Sequence, residues 1–161
     1  MARIRRMLIS GNWKMNHNHL EALHTVEKLH FRLSKDDFIH TDVSVHPPFT
    51  DIRSVQTYLA GEKKALLLLG AQNCHPDEKG AFTGEVSVSM LAKLECRLVI
   101  VGHSERRQIF GETDEFVNAK VKAVLKRKAA AKAKPWWVMA WCKWMAKSNC
   151  AKPRKSEAAK P

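Results

Sequence analysis

Short apolar runs alternate with longer stretches of helical spacing between Met7 and Leu125. Leu98-Val99-Ile100-Val101 has the length and composition of a buried strand, whereas Leu20, Leu23 and Val26 recur at the spacing of one helix face. This alternation is typical of repeated βα units around a parallel sheet. We therefore predict an α/β fold in which residues 1–125 form about four βα units.

The same pattern sets the approximate bounds of each element. Strands are predicted at 7–9, 42–46, 66–71 and 98–101, and helices at about 20–33, 51–58, 87–94 and 113–125. Asp51 is predicted to cap the second helix, because its carboxylate can accept from unpaired N–H groups of the first turn. In the last helix, acids fill the first turn, and Lys120 and Lys122 follow in an order that suits the helix dipole.

The sequence changes character after Lys126. Residues 129–134 contain only Ala and Lys, Pro135 interrupts them, and four of the five tryptophans follow at positions 136, 137, 141 and 144. The last residues are rich in Lys, Ala, Pro and Ser, which predicts disorder. We predict that residues 126–161 form a separate basic, Trp-rich tail of helix and then disorder, without a further βα unit.

The net charge of +12 belongs almost wholly to that tail. Residues 1–125 hold 17 Lys and Arg against 15 Asp and Glu, a balance of +2, whereas residues 126–161 hold 11 against one, a balance of +10. The charge of the whole chain is therefore no argument for a nucleic-acid function of the main segment.

Targeting signals are not apparent in the sequence. No apolar run approaches the roughly 18 residues of a membrane span. The basic first residues are not followed by the apolar core of a signal peptide. Cys74, Cys96, Cys142 and Cys150 form no C-x-x-C pair or zinc-ligand spacing, which favours free thiols. We therefore predict a cytoplasmic protein.

Polar side chains follow the first and fourth predicted strands. Asn12 and Lys14 come after the first, and His103, Ser104 and Glu105 come after the fourth. Because the carboxyl ends of parallel strands meet at one face, these side chains are expected to converge. A lysine there can bind an anion, and an imidazole can donate to a carbonyl.

Longer strings around these residues resemble the triosephosphate isomerase family. The first-strand motif is Gly11-Asn12-Trp13-Lys14-Met15-Asn16, and the fourth-strand motif is Val101-Gly102-His103-Ser104-Glu105-Arg106-Arg107. Two strings between these motifs are similar to the start and the end of the third loop of that family, Gly70-Ala71-Gln72-Asn73 and Gly80-Ala81-Phe82-Thr83-Gly84-Glu85-Val86-Ser87. The string Asn118-Ala119-Lys120-Val121 is similar to the helix after the fourth strand. The order and spacing hold over about 120 residues. The resemblance implies part of a (β/α)8 barrel, of which about four βα units are present.

The resemblance also implies roles for individual residues in the interconversion of dihydroxyacetone phosphate and D-glyceraldehyde 3-phosphate through an enediolate. Lys14 would bind the substrate phosphate and stabilise the developing negative charge, and neutral His103 would donate to the substrate carbonyl. Glu105 would pair with the lysine beside the histidine. Asn12 would orient the site, and Ser104 would help to hold His103 next to the substrate.

The family likeness implies partners as well. Thr83, at the tip of the third loop, would reach into the site of a second copy, and Gln72 and Glu85 would support the contact of a homodimer. A small phosphorylated triose is the implied substrate. Neither a metal ion nor an organic cofactor is implied.

One part of the family pattern has no match in this sequence. The general base of the family is a glutamate in a segment resembling YEPVWAIGTG after the sixth strand, and glycine loops after the seventh and eighth strands grip the phosphate. The 161 residues contain neither. The loss of a general base alone typically costs about 10²–10⁴-fold in rate. We therefore expect this chain to be essentially inactive alone.

Two other functions remain open from the sequence. A half-barrel with unpaired edges could self-associate as a non-catalytic remnant. The lysines and tryptophans of residues 126–161 could bind anions such as single-stranded nucleic acid or an anionic membrane surface, although no RNA-binding motif organises them.

Overall fold

The computed structural model describes residues 6–62, 66–130 and 137–140, and in residues 128–130 and 137–140 the backbone only. Five strands and five α-helices make up this part of the chain. In order they are β1 (Met7–Asn12), α1 (His19–Arg32), a 3₁₀ turn (Asp36–Phe38), β2 (Thr41–His46), α2 (Phe49–Gly61), β3 (Leu68–Ala71), α3 (Val88–Lys93), β4 (Leu98–Val101), α4 (Ser104–Gln108), α5 (Asp114–Ala130) and β5 (Trp137–Ala140).

All neighbouring strands pair in parallel, in the order β1-β2-β3-β4-β5. The register aligns Asn12 with His46 and Ala71 with Val99, so the carboxyl ends of β1 to β4 lie along one edge. The predicted alternation of strand and helix, and the partial barrel that the family resemblance implies, are confirmed. Helix α4 and the 3₁₀ turn were not predicted, because each is shorter than two helical turns.

The core lies between the sheet and the helices that cover it. Every residue of β4 is buried, as expected for a central parallel strand. Val26 of α1, Val55 of α2 and Leu91 of α3 are fully buried against this sheet. Cys74 and Cys96 are buried free thiols, and burial raises the pKa of each to about 12. Cys142 and Cys150 lie outside the described residues.

Strand β1 differs from the others in its exposure. Met7, Leu8 and Ile9 are 67%, 41% and 61% exposed, although successive strand residues point to opposite faces. Both faces of β1 are therefore open to solvent. In the described residues β1 pairs with β2 on one side only.

Residues 126–140 depart from the sequence-based prediction. Helix α5 runs to Ala130, past the predicted domain boundary at residue 125, and Trp137–Ala140 pairs with the whole of β4 as a parallel fifth strand. The structure therefore adds a fifth strand, which the predicted tail of helix and then disorder did not include. Trp137 and Val138 have high strand propensity, and the strand that they begin pairs with an edge of β4 that would otherwise be open. The predicted disordered end, residues 141–161, lies outside the described residues.

Two predictions about single side chains were also wrong. Helix α2 begins earlier than expected, with Pro48 at the N-cap position, so Asp51 lies inside the first turn. Its buried carboxylate accepts from the Thr50 hydroxyl at 3.0 Å and makes no cap. Lys120 lies in the middle of the longer α5 and is completely buried, so the helix dipole does not explain its position.

Candidate active site

The residues predicted at the strand ends converge as the parallel sheet requires. Asn12 ends β1, Lys14 lies two residues beyond it, and His103 lies two residues beyond the end of β4. Together with Glu105 they line one cleft of about 210 Å³. The full lining consists of Asn12, Lys14, Met15, Phe49, Gln72, Asn73, His103, Glu105, Arg106 and Phe110.

Lys14 has an unusual backbone conformation, with a φ of 56°. A side chain other than glycine in this left-handed region costs about 1–3 kcal/mol unless its surroundings hold it. The Oδ1 atom of Asn12 accepts from the backbone N–H of Lys14 at 3.0 Å, and Nε2 of Gln72 donates to the carbonyl oxygen of Lys14 at 2.8 Å. Side chains from two strand ends therefore hold the residue that carries the ammonium group.

His103 is fixed by the helix that follows it. It is the N-cap of α4, and its Nδ1 atom accepts from the backbone N–H of Glu105 at 3.2 Å. A ring nitrogen that accepts carries no proton, so the neutral ring holds its proton on Nε2. The short helix α4 therefore selects the tautomer in which Nε2 is the donor.

Glu105 connects the two strand ends. Its Oε1 atom lies 2.5 Å from Nζ of Lys14, and its Oε2 atom lies 3.5 Å from Nδ1 of His103. The hydrogen bond from Lys14 lowers the pKa of the Glu105 carboxyl below its ordinary value. The carboxylate is therefore charged at neutral pH and compensates the ammonium group in the cleft.

The other predicted site residues lie in two places. Ser104 is the first residue of α4, next to His103, and is half-buried. Thr83 and Glu85 are exposed on the loop between β3 and α3, outside the cleft lining. Gln72, predicted at a subunit contact, lines the cleft and donates to two carbonyl groups within the chain, those of Lys14 and His46.

A buried polar network behind the cleft was not predicted. Nζ of Lys120 donates to Oδ1 of Asn73 at 2.7 Å and to Oε1 of Glu112 at 2.5 Å, and Nε of Arg106 donates to the same Glu112 oxygen at 2.7 Å. The Lys120 ammonium also lies 4.6 Å from the ring centroid of Phe116. The network joins the loop after β3, the loop after α4 and helix α5, and through Arg106 and Asn73 it borders the cleft.

The Glu112 carboxylate is the negative partner of the two cations in this network, Lys120 and Arg106. Burial alone would raise the pKa of its carboxyl, but the hydrogen bonds from Lys120 and Arg106 outweigh burial and lower it. A buried carboxylate between two cations is thus ionised. The available sequence signal was the string Asn118-Ala119-Lys120-Val121, which places Lys120 inside a family motif but does not name its partners.

A second buried polar group lies below the cleft. The His46 side chain is fully buried, its Nδ1 donates to the carbonyl oxygen of Ala71 at 3.1 Å, and its Nε2 lies 3.2 Å from the Ser44 hydroxyl. A Cβ atom on Gly70 would lie 2.2 Å from Cε1 of His46, so the ring occupies space that only glycine leaves open. Burial lowers the pKa of His46 below its ordinary value of 6.5.

The described residues contain neither a group of side chains suited to a metal ion nor a membrane-spanning helix. No group of three or more His, Cys, Asp or Glu side chains there could hold a metal ion. Within the same residues, no helix combines the length and the apolar character needed to cross a membrane.

The sequence of the chain matches one protein family. The sequence model of the triosephosphate isomerase family matches residues 7–131. The chain is similar to a triosephosphate isomerase of Saccharopolyspora erythraea, with 60% identity over 122 residues, which are 76% of this chain and 46% of that protein. It is also similar to triosephosphate isomerases of Corynebacterium efficiens, 56% identical over 123 residues (76% and 47%), and Corynebacterium glutamicum, 57% identical over 121 residues (75% and 46%). The chain therefore spans about half the length of the curated relatives that it matches.

Proposed function

Because the chain belongs to the triosephosphate isomerase family, we propose that its cleft binds a triose phosphate and supplies the electrophilic groups for interconversion of dihydroxyacetone phosphate and D-glyceraldehyde 3-phosphate. The observation that carries this proposal is the meeting of Lys14 and His103 in one cleft with Glu105 between them. A positive charge and a neutral N–H donor are the groups that an enediolate intermediate requires.

Lys14 is proposed to bind the phosphate group and the developing enediolate charge. Its side chain is about half exposed, so an anion in the cleft can reach the ammonium group. An arriving phosphate would exchange with or join the Glu105 carboxylate at Nζ. The left-handed backbone at Lys14 matters here because it sets the direction in which the side chain leaves the loop.

His103 is proposed to donate from Nε2 to the carbonyl oxygen of the triose. When a general base takes the proton from the neighbouring carbon, the imidazole N–H stabilises the negative charge on this oxygen; in the family that base is the glutamate for which this sequence has no match. Nε2 then gives its proton to this oxygen and takes up the proton from the hydroxyl group on the other carbon of the enediolate, which restores the neutral imidazole. Because the backbone N–H of Glu105 occupies Nδ1, both transfers would use Nε2.

We further propose that these 161 residues alone catalyse the isomerisation only weakly. The sequence has no match to the glutamate base or to the phosphate-gripping glycine loops of the family. A coupled assay that follows glyceraldehyde 3-phosphate should give a rate at least about 10²-fold below that of a full-length relative. A rate close to that of the relative would refute this part of the proposal.

We also propose that the protein is cytoplasmic, because the substrates of glycolysis are found in the cytoplasm.

Ligand binding tests the proposal without requiring turnover. Glycerol 3-phosphate carries the phosphate and carbon chain of a triose phosphate but cannot isomerise. NMR titration should shift the signals of Lys14 and His103, and Lys14→Met should abolish the shifts at His103. Lys93→Met, on the exposed surface of α3, is the matched control and should bind like the wild type. Equal binding by both variants, or none by the wild type, would refute the proposed site.

A homodimer is the proposed assembly. The loop between β3 and α3 is closed at its base by a hydrogen bond from the His75 N–H to the Val86 carbonyl at 2.9 Å, and the ring of His75 packs on Phe82 at 4.0 Å. The exposed Thr83 therefore stands on a loop with its own internal support. Sedimentation velocity of the wild type and of Thr83→Arg should give a dimer and a monomer, respectively.

Self-association through β1 is the second candidate function. It is favoured by the exposure of Met7, Leu8 and Ile9 on both faces of a strand that pairs on one side only in the described residues. Long, apolar strand edges pair with other chains. Ile9→Lys should abolish association through this edge, whereas Thr83→Arg should not. Sedimentation of the two variants therefore separates the two proposed contacts.

A further inference from the structure

We propose that Gln72 is a positioning residue that holds the loop carrying Lys14 in its left-handed conformation. Only the ligand-binding part of this inference rests on the proposed function; the conformational part stands on the geometry of this chain. It gives Gln72 a role inside the site of its own chain, different from the subunit contact that the family resemblance implies.

Both hydrogens of the Gln72 side-chain amide have an acceptor. A primary amide nitrogen carries two hydrogens. Nε2 of Gln72 lies 2.8 Å from the carbonyl oxygen of Lys14 and 2.8 Å from the carbonyl oxygen of His46. Gln72 directly follows β3, so one side chain ties the loop after β1 and the end of β2 to the end of β3.

Lys14 needs such support because of its backbone. At a φ of 56° the Cβ atom crowds the backbone, and a lysine left to itself prefers negative φ. Asn12 holds the N–H of this residue and Gln72 holds its carbonyl oxygen, so the two peptide groups that flank its Cα atom are fixed from different strands. His17, with a φ of 73°, gives the same short loop a second strained residue.

The position of the ammonium group depends on this conformation. The direction of the Cα–Cβ bond of Lys14 changes with φ, and in the present conformation Nζ lies 2.5 Å from Oε1 of Glu105. Without the Gln72 donors, the loop can relax to negative φ and carry Nζ away from Glu105 and the cleft. The side chain of Gln72 thus acts on the site through Lys14.

The test uses Gln72→Met, which keeps the length of the side chain and removes both donors. Gln56→Met on α2 is the matched control, because Gln56 does not line the cleft. Its amide accepts from Arg53 at 2.9 Å and donates to Glu95 at 3.4 Å, and neither residue lines the cleft. Three quantities are measured for each chain by NMR. They are the titration midpoint of the Glu105 carboxyl, the intraresidue amide-to-Hα NOE of Lys14, which is strong at positive φ, and the affinity for glycerol 3-phosphate.

We expect both Gln72→Met and Lys14→Met to raise the Glu105 midpoint. We also expect Gln72→Met to weaken the Lys14 NOE and to lower the affinity by about tenfold. The control should change none of the three. An unchanged midpoint and NOE in folded Gln72→Met would overturn the proposal, even if the variant altered self-association. That last result would instead assign Gln72 to a contact between copies.

If Gln72→Met does not fold, a measurement on the wild type can still test the proposal. Scalar coupling through hydrogen bonds should connect Nε2 of Gln72 with the carbonyl carbons of Lys14 and His46, and its absence would overturn the proposal. If the wild type shows the coupling but does not bind glycerol 3-phosphate, the proposed function fails. The positioning role of Gln72 is then still decided by the Glu105 midpoint and the Lys14 NOE.

Discussion

Nζ of Lys14 and Oε1 of Glu105 lie 2.5 Å apart, although 91 residues separate them in the sequence. Each follows the carboxyl end of a different strand, and the parallel order of β1 to β4 brings both ends to the same edge. The pair places a compensated charge where we propose that a phosphate binds. Because the ammonium group lowers the pKa of Glu105, the titration of Glu105 also reports whether Nζ of Lys14 lies beside it.

Salt should weaken the effect of Lys14 on Glu105. Both side chains are about half exposed, and the ammonium group lowers the pKa of the carboxyl. Raising the ionic strength from about 0.01 M to about 1 M shortens the Debye length from roughly 30 Å to roughly 3 Å. We expect the Glu105 midpoint, followed by carboxyl ¹³C NMR, to rise towards its ordinary value. Lys14→Met should start higher and respond little, and an equal response in both chains would contradict the pairing.

Acid should destabilise the fold through His46. Burial lowers its pKa in the folded chain, so below about pH 6.5 the unfolded chain takes up a proton that the folded chain does not. Stability is then lost as pH falls from about 6.5 towards the folded pKa, at up to about 1.4 kcal/mol per pH unit. Urea unfolding at pH 7.5 and 5.5 should show a larger loss for the wild type than for His46→Gln. His19→Gln, at an exposed position, should behave like the wild type.

Gly70→Ala should be strongly destabilising. The new Cβ atom would lie 2.2 Å from a ring atom of His46, and the ring cannot move without breaking its bond to the Ala71 carbonyl. We expect a loss of about 2–3 kcal/mol in the free energy of unfolding, measured by urea denaturation. The double variant with His46→Ala should recover most of the stability lost from this clash. If the double variant is no more stable than Gly70→Ala, the clash is not the cause.

Lys120→Met should destabilise the chain by about 3 kcal/mol, because Glu112 keeps its buried charge and loses one of two cationic partners. Adding Glu112→Gln removes that charge and should restore part of the loss. Thermal and urea unfolding of the two single variants and the double variant give the coupling energy. Lys122→Met, at an exposed position of the same helix, is the control and should cost less than about 0.5 kcal/mol.

Local pattern predicted the parts of this molecule that depend on neighbours in sequence. The strand bounds at β2 and β4 and the helix α1 follow from apolar spacing. The capping box of Asn18 and Glu21 at the start of α1 is also a local signal, but it was not predicted. The convergence of Lys14, His103 and Glu105 followed from one topological rule, the shared edge of parallel strands.

The predictions that failed concern contacts between distant segments. Lys120 resembles a solvated helix lysine in sequence, and only Asn73, 47 residues away, and Glu112 make its burial possible. The two hydrogen bonds of Gln72 were not predicted either, because their acceptors are backbone carbonyls that no sequence motif identifies, and its predicted support of a subunit contact stays a prediction. Strand β5 was missed because Pro135 and the run of tryptophans hid a four-residue strand whose partner is β4.

The buried ammonium group of Lys120 also links the docking of α5 to the loops after β3 and α4. Asn73 and Glu112 leave the ribosome before Lys120 does, so both acceptors exist when the lysine emerges. Helix α5 by itself cannot bury this lysine, because the lysine loses its water only where the loops after β3 and α4 already supply oxygen atoms. We therefore expect α5 to dock together with or after the loops that follow β3 and α4, and an amine-acylating reagent would report this docking as the loss of reactivity at Lys120.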